Sequence, residues 1–325
     1  MAEVARGARA PVTSLMDYYE GPTWVVAIAV YGSWGLLVWF HARVPWWLMI
    51  PLGALVIAWH NSLQHETIHA LVRIPRPLRF ALGFPPLALF VPYPIYCRSH
   101  RRHHRDASLT DPLEDPESYY HREEAWLNYP RVVRAVYLFN QTLVGRLTIG
   151  PLLCLASFLK RELSRGCEGD SSNLAAWAWH GVSVGIVLFW VGGIAGMPVW
   201  QYLAFVVYPG LCLGMLRSFS EHRYADRLGH RTAIVESGFP LRLLFLNNNL
   251  HLVHHLLPTL PWYRIPAVWF ELRAELLEHN GGFFFQGYSQ LAGRHALRPV
   301  FHPVHSQREV VLSSERLRIR PLRAT

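Results

Sequence analysis

Four blocks of apolar residues, 23–41, 44–63, 174–195 and 199–216, contain no Asp or Glu, and a single Arg lies between the first two. Each block is close to the roughly 20 residues that an α-helix needs to cross about 30 Å of hydrocarbon. In lipid, backbone polar groups must be satisfied within their own segment, so the spans are helices. Composition agrees. The 325 residues are 51% hydrophobic and 16% charged, with 13 Trp, whereas soluble domains carry about 25% charged residues. The expectation is an all-α integral membrane protein.

The first two blocks meet around Arg43 and Pro45, and the last two around Gly196 and Pro198. Such short joins predict two transmembrane helical hairpins with both turns on one side. Apart from Arg43, every Lys and Arg falls in the N-terminus, in 64–173 or in 217–325. By the positive-inside rule these regions are cytoplasmic and the turns face outward. The formal charge of +9 then reflects topology, and no nucleic-acid partner is expected. The organisation is a cytoplasmic N-terminal segment (1–22), a membrane domain (23–300) and an Arg-rich tail (301–325).

Two further apolar stretches differ in kind. Residues 78–96 hold Pro85, Pro86, Pro92 and Pro94, which a straight helix tolerates poorly, so a re-entrant or interfacial hairpin is predicted. Residues 132–159 are interrupted by Arg134, Asn140, Gln141 and Arg146, predicting amphipathic helix along the interface. Cys97, Cys154, Cys167 and Cys212 form no Cys-x-x-Cys pair, so neither a zinc ribbon nor a disulfide framework is expected. The N-terminus is too polar for a signal peptide.

Three clusters stand out among 18 His: His65-Glu66-Thr67-Ile68-His69 directly after the second span, His100-Arg101-Arg102-His103-His104, and His251-Leu252-Val253-His254-His255. On a helix, residues three or four apart share a face, so each cluster is expected to aim its imidazoles at one point. Imidazole suits iron, zinc or copper. Eight such nitrogens exceed what one tetrahedral zinc uses, which points to two metals of higher coordination number in a cytoplasmic helical cap. His60 lies about 140° around the helix from His65 and is taken as a supporting residue. His41, His121, His180, His230, His279, His295, His302 and His305 are isolated and read as structural. Glu66, Asp111, Asp115, Glu117, Glu221 and the run Asn247 to Asn249 stand near the clusters and are candidates to orient them.

These clusters resemble, in order and spacing, the three histidine boxes of the membrane fatty acid desaturase superfamily, which also includes fatty acid hydroxylases and carotenoid ketolases and hydroxylases. HETIHA and NNNLHLVHHLLPTLPWY look like the bacterial acyl-lipid branch, which implies a bacterial inner membrane. The resemblance implies two Fe ions, O2 as co-substrate, a lipid acyl chain as substrate and electrons from a separate redox donor such as a ferredoxin. It also implies one more ligand between the second and third boxes, at the position of His222. The implied ligand set is His65, His69, His100, His103, His104, His222, His251, His254 and His255. Fatty acid desaturation is the expected reaction, with hydroxylation or ketolation the alternative.

Two other classes compete. His65-Glu66-x-x-His69 is also the pattern of a zinc metalloprotease, but that reading leaves two His-x-x-His-His clusters without a task. A metal transporter would bury its ligands near the bilayer midplane, not in polar segments.

Overall fold

The structure is a computed structural model that describes residues 15–305, 309–311 and 318–320. Residues 1–14 of the expected N-terminal segment lie outside the described residues, as do 306–308, 312–317 and 321–325 of the Arg-rich tail. The principal helices begin with α1 (Gly21–Trp39), α2 (Trp46–His69), α3 (Arg76–Gly83) and α4 (Tyr93–His103). Then come α5 (Glu123–Asn128), α6 (Arg131–Asn140), α7 (Leu143–Thr148) and α8 (Gly150–Cys167). Helices α9 (Leu174–Ile194) and α10 (Val199–Ser218) follow. The last part holds α11 (His251–Leu256), α12 (Ile265–Glu271), α13 (Arg273–His279) and α14 (Tyr288–His295). The all-α expectation needs one small correction. Strands β1 (Ile234–Val235) and β2 (Phe284–Phe285) pair in parallel, and Glu309–Val311 pairs with Arg318–Arg320.

Helices α1, α2, α9 and α10 are long and apolar enough to cross a membrane. Their outer faces remain apolar: Trp179, Val182, Ile186 and Phe189 recur three and four apart on α9 and are all exposed. A stripe of that kind has lipid as its natural neighbour. The inner faces converge on α2. Ile57, Val191, Tyr202, Val206 and Val207 are fully buried together. Two glycines set how closely α2 and α10 approach. A Cβ on Gly53 would lie 2.6 Å from the Phe205 carbonyl oxygen and from Val206 Cα, and one on Gly210 would lie 2.3 Å from Ile57 Cβ. Small residues at such crossings let backbones pack directly, the main attraction available between helices in lipid.

The Pro-rich stretch is not a spanning helix, in keeping with its prolines. Residues 84–92 form an irregular loop between α3 and α4, yet Leu87 is only 1% exposed. Buried irregular backbone needs partners, and the spanning helices supply them. Tyr202 donates its hydroxyl to the Leu87 carbonyl at 2.6 Å while accepting from Trp34 Nε1 at 3.0 Å, and His180 Nε2 lies 2.8 Å from the Leu89 carbonyl.

Residues 131–167 divide into α6, α7 and α8. The break is built from short-range geometry. Thr142 Oγ1 caps α7 by accepting from Gly145 N at 3.0 Å, and a Cβ at Gly145 would lie 1.8 Å from the Phe139 carbonyl. Arg146 turns inward rather than to solvent. It donates to the Asn140 carbonyl at 3.1 Å and stacks 3.8 Å from the centre of the Tyr119 ring.

Candidate metal centre

Helix α2 runs unbroken to His69, so the first cluster occupies the end of a spanning helix instead of following it. Four residues apart, His65 and His69 face the same way. Helix α4 carries His100 and His103, with His104 at its C-terminus, and α11 carries His251, His254 and His255. The segment before α11 is clamped to β1: Val235 N donates to the Asn249 carbonyl at 2.8 Å, and Asn249 Nδ2 returns a bond to the Val235 carbonyl at 2.7 Å. His222 follows α10 in an extended segment bridged to Thr232.

All nine imidazoles come together, but each of the last two clusters is divided. His65, His69, His100, His104 and His254 form one group, and His103, His222, His251 and His255 form another. Within each group the ligand atoms lie within 4.8 Å of one another. The expectation that a cluster converges on a single point is corrected here. On a helix, i+4 sits about 40° to one side of i and i+3 about 60° to the other. Thus the pairs four apart (65/69, 100/104, 251/255) stay together, while His103 and His254 turn to the opposite group.

Nitrogen spacing tests whether metal ions fit. His104 Nε2 lies 3.0 Å from His254 Nε2 and 3.1 Å from His100 Nε2. In the second group, His222 Nε2 lies 3.1 Å from His103 and 3.0 Å from His251, and His255 lies 3.2 Å from His251. With metal–nitrogen bonds of about 2.1 Å, two ligands on one ion lie about 3.0 Å apart at a right angle and about 3.4 Å apart at the tetrahedral angle. These five spacings, 3.0–3.2 Å, lie between those two values and nearer the first. Moreover, His65 Nε2 and His69 Nε2 are buried without a hydrogen-bond partner, a cost that a bound cation removes. One metal ion in each group fits.

Protonation favours the same use. Burial and then the neighbouring imidazoles hold the pKa of His104, His222, His251, His254 and His255 below the ordinary value, and burial does the same to His100. Neutral imidazole is the ligating form. His103 differs: burial opposes its charge, but Glu117, Asp115 and Glu221 outweigh burial and raise its pKa to about 9.

Behind the ligand atoms stand acceptors that fix ring orientation. His100 Nδ1 meets Glu117 Oε1 at 3.0 Å, His103 Nδ1 meets Asp115 Oδ1 at 2.9 Å, and His251 Nδ1 meets Asn248 Oδ1 at 3.1 Å. Each contact favours a proton on Nδ1; in the neutral ring this leaves the Nε2 lone pair facing inward, and at His103 a bound cation would displace the second proton. Glu221 lies 3.5 Å from His251 Nδ1 and is held by Arg217, four residues earlier, at 3.3 Å. Arg217 was not singled out from sequence; its i, i+4 spacing to Glu221 was the available signal.

Other candidates have different roles. Glu66 accepts the Trp262 backbone N–H at 3.0 Å and belongs to neither group. Asp111 accepts the Leu113 and Glu114 N–H groups and shapes a turn. Asn247 bonds the Trp262 carbonyl. His60 is fully buried and packs edge-on against Tyr31 at 5.8 Å, outside both groups.

Helices suited to a bilayer, converging on two all-histidine groups backed by carboxylates, define a membrane protein with a candidate dimetal centre. The family model for fatty acid desaturase matches residues 41–287, and the chain belongs to the membrane fatty acid desaturase family. No curated protein matches it. The family makes this an integral membrane oxidoreductase acting on lipid acyl chains.

Proposed function

We propose that this chain is an O2-dependent fatty acid desaturase that holds two Fe ions, one in each histidine group. The observation that carries the reading is the gathering of nine imidazoles into two groups, each with its ligand atoms within 4.8 Å of one another, in a chain of this family. Bound iron supplies the activation of O2 and the removal of hydrogen from an unactivated C–H bond. The chain's own residues do the rest. Glu117, Asp115 and Asn248 orient His100, His103 and His251 and keep their protons on Nδ1. Burial of His65, His100, His103, His251 and His254 keeps bulk water from the site.

In this reading α1–α2 and α9–α10 are two hairpins whose turns face outward, as the Arg distribution indicates. The histidines then lie on the cytoplasmic side of the inner membrane. The acyl chain reaches them laterally from the bilayer, and electrons arrive from a separate cytoplasmic protein. An acidic donor such as a ferredoxin suits the basic surface.

The test is lipid analysis of a heterologous host with and without the expressed chain, together with metal analysis of the purified protein. New double bonds and two iron per chain are expected. Hydroxylated acyl chains would move the protein to the hydroxylase branch, and one zinc with no iron would overturn the proposal.

A further inference from the structure

His305 stands alone in the sequence, inside the expected Arg-rich tail, yet the fold carries it to the segments that hold the second histidine group. Residues 301–305 run as a strap past His121. His121 N donates to the Pro303 carbonyl at 2.7 Å and His305 N to the His121 carbonyl at 2.9 Å, a parallel bridge around Val304. Pro303 and Val304 are buried, and the His302 ring meets Trp126 edge-on at 5.3 Å. Phe301 packs against Phe283 with ring centres 5.8 Å apart. These contacts fix the strap at both ends.

The His305 ring lies where two other segments meet. On one side is Thr110, whose Oγ1 is 3.3 Å from His305 Nε2. On the other are the rings of Tyr224, with centres 4.3 Å apart, and Tyr120, at 5.7 Å. Tyr120 Oη accepts from Tyr224 N at 2.8 Å and joins the two segments. Thr110 leads directly to a metal-group residue. Its φ is 72°, a left-handed conformation costly to a β-branched residue, which persists only where surrounding contacts hold it. Asp115 Oδ2 accepts its N–H at 2.9 Å, Ser118 Oγ donates to its carbonyl at 2.8 Å, and His305 meets its hydroxyl. Asp115 Oδ1 in turn faces His103 Nδ1 at 2.9 Å. Tyr224 follows His222, of the same group, by two residues.

We infer that His305 is a positioning residue for the second metal group, acting through Thr110 and Asp115 on His103. A hydrogen bond weakens steeply as its angle is lost, so the acceptor behind a ligating imidazole must itself be held in direction. Asp115 is held because both oxygens are engaged, one by His103 and Glu117 N, the other by the N–H of Thr110. Thr110 is only 2% exposed, so water does not replace a contact it loses. Releasing its hydroxyl lets the strained residue relax, turns its N–H away from Oδ2 and frees the carboxylate to rotate. The inference rests on the reading of two bound metals for its consequence, but not for the contact network itself.

Hydrogen exchange of the whole protein in detergent, stripped of metal and read by mass spectrometry, tests the network over residues 106–120, with 131–148 as reference. Graded chelation of the iron-loaded protein tests the consequence. His305→Phe keeps a ring against Tyr224 and loses the bond to Thr110. It should speed exchange over 106–120 about fivefold, the worth of one ordinary hydrogen bond, and leave 131–148 unchanged. One metal should then leave at about fivefold weaker chelation than in the parent protein. His305→Gln offers an amide to Thr110 and should restore most of both effects. Thr110→Val should match His305→Phe, and the two together should do no more than either alone. Unchanged exchange over 106–120 in the Phe variant, equal acceleration over 131–148, no rescue by Gln, additive effects in the double variant, or equal release of both metals overturns the role given to His305. Faster exchange over 106–120 in a chain that takes up no metal would sink the dimetal reading and leave His305 as the clamp on the Asp115 turn. Two metals held equally firmly by the parent and the Phe variant would do the reverse.

Discussion

Replacing Asp115 with Asn removes one charge and two atoms' worth of symmetry, and the structure gives the consequence. Asp115 Oδ1 accepts from His103 Nδ1 and from Glu117 N, both at 2.9 Å, and Oδ2 accepts from Thr110 N at 2.9 Å. An amide has one acceptor oxygen and one NH2 donor. If the oxygen faces His103 and Glu117, the NH2 confronts the Thr110 N–H; if the amide flips, it confronts the other two. Thr110 is only 2% exposed, so water does not rescue it. An unsatisfied buried donor costs about 1–3 kcal/mol. Loss of the partner behind a ligating imidazole typically weakens metal binding about 10- to 100-fold, and the two figures agree, since about 1.4 kcal/mol is tenfold. The assay is metal content per chain after equilibration with a graded series of chelator. Asp115→Asn should release one metal at about 10- to 100-fold weaker chelation than the parent protein, while the second metal is held more firmly. Asp111→Asn serves as the control, because its Oδ1 alone accepts both Leu113 N at 2.8 Å and Glu114 N at 2.9 Å, and an amide oxygen can do the same. Superimposable release curves for Asp115→Asn and the parent would refute the reasoning, as would an equal loss in Asp111→Asn.

Three further outcomes are expected. His254→Ala should lower bound metal and abolish turnover while the protein remains inserted; full activity would remove the third cluster from the site. Glu66→Gln keeps an acceptor for the Trp262 N–H and should retain both metals and turnover, whereas loss of activity in a folded, metal-loaded variant would give Glu66 a chemical role. Gly53→Val drives a side chain into the Phe205–Val206 backbone and should cost about 1–3 kcal/mol, read as a lower thermal midpoint, while Gly35→Ala on α1, with nothing within 4 Å of the added Cβ, should leave the midpoint unchanged or raise it.

Much of this protein is legible in the chain itself. Uncharged blocks of about 20 residues must be helices in lipid, and the four expected spans differ from the observed ones by a few residues, most of all where α2 continues through the first histidine pair. The helical character of 132–159 and the absence of a straight spanning helix over 78–96 follow from local rules of the same kind. Histidine spacing also located eight of the nine imidazoles that come together, since residues three and four apart need only a helix to become neighbours; His222 came only from the resemblance to the desaturase family.

The division of those imidazoles into two groups was decided by tertiary structure. Helical geometry separates His103 from His100 and His104, and His254 from His251 and His255, but only the approach of α4, α11 and the His222 segment gives each its opposite partner. The same holds for the carboxylates. Asp115 and Glu117 stand behind His103 and His100 because a turn folds back on α4, while the equally near Asp111 and Glu66 go to backbone N–H groups. Sequence proximity lists acids within reach of a site. Which one faces a ring nitrogen depends on orientation over a few ångströms, and that is fixed by contacts between segments far apart in the chain.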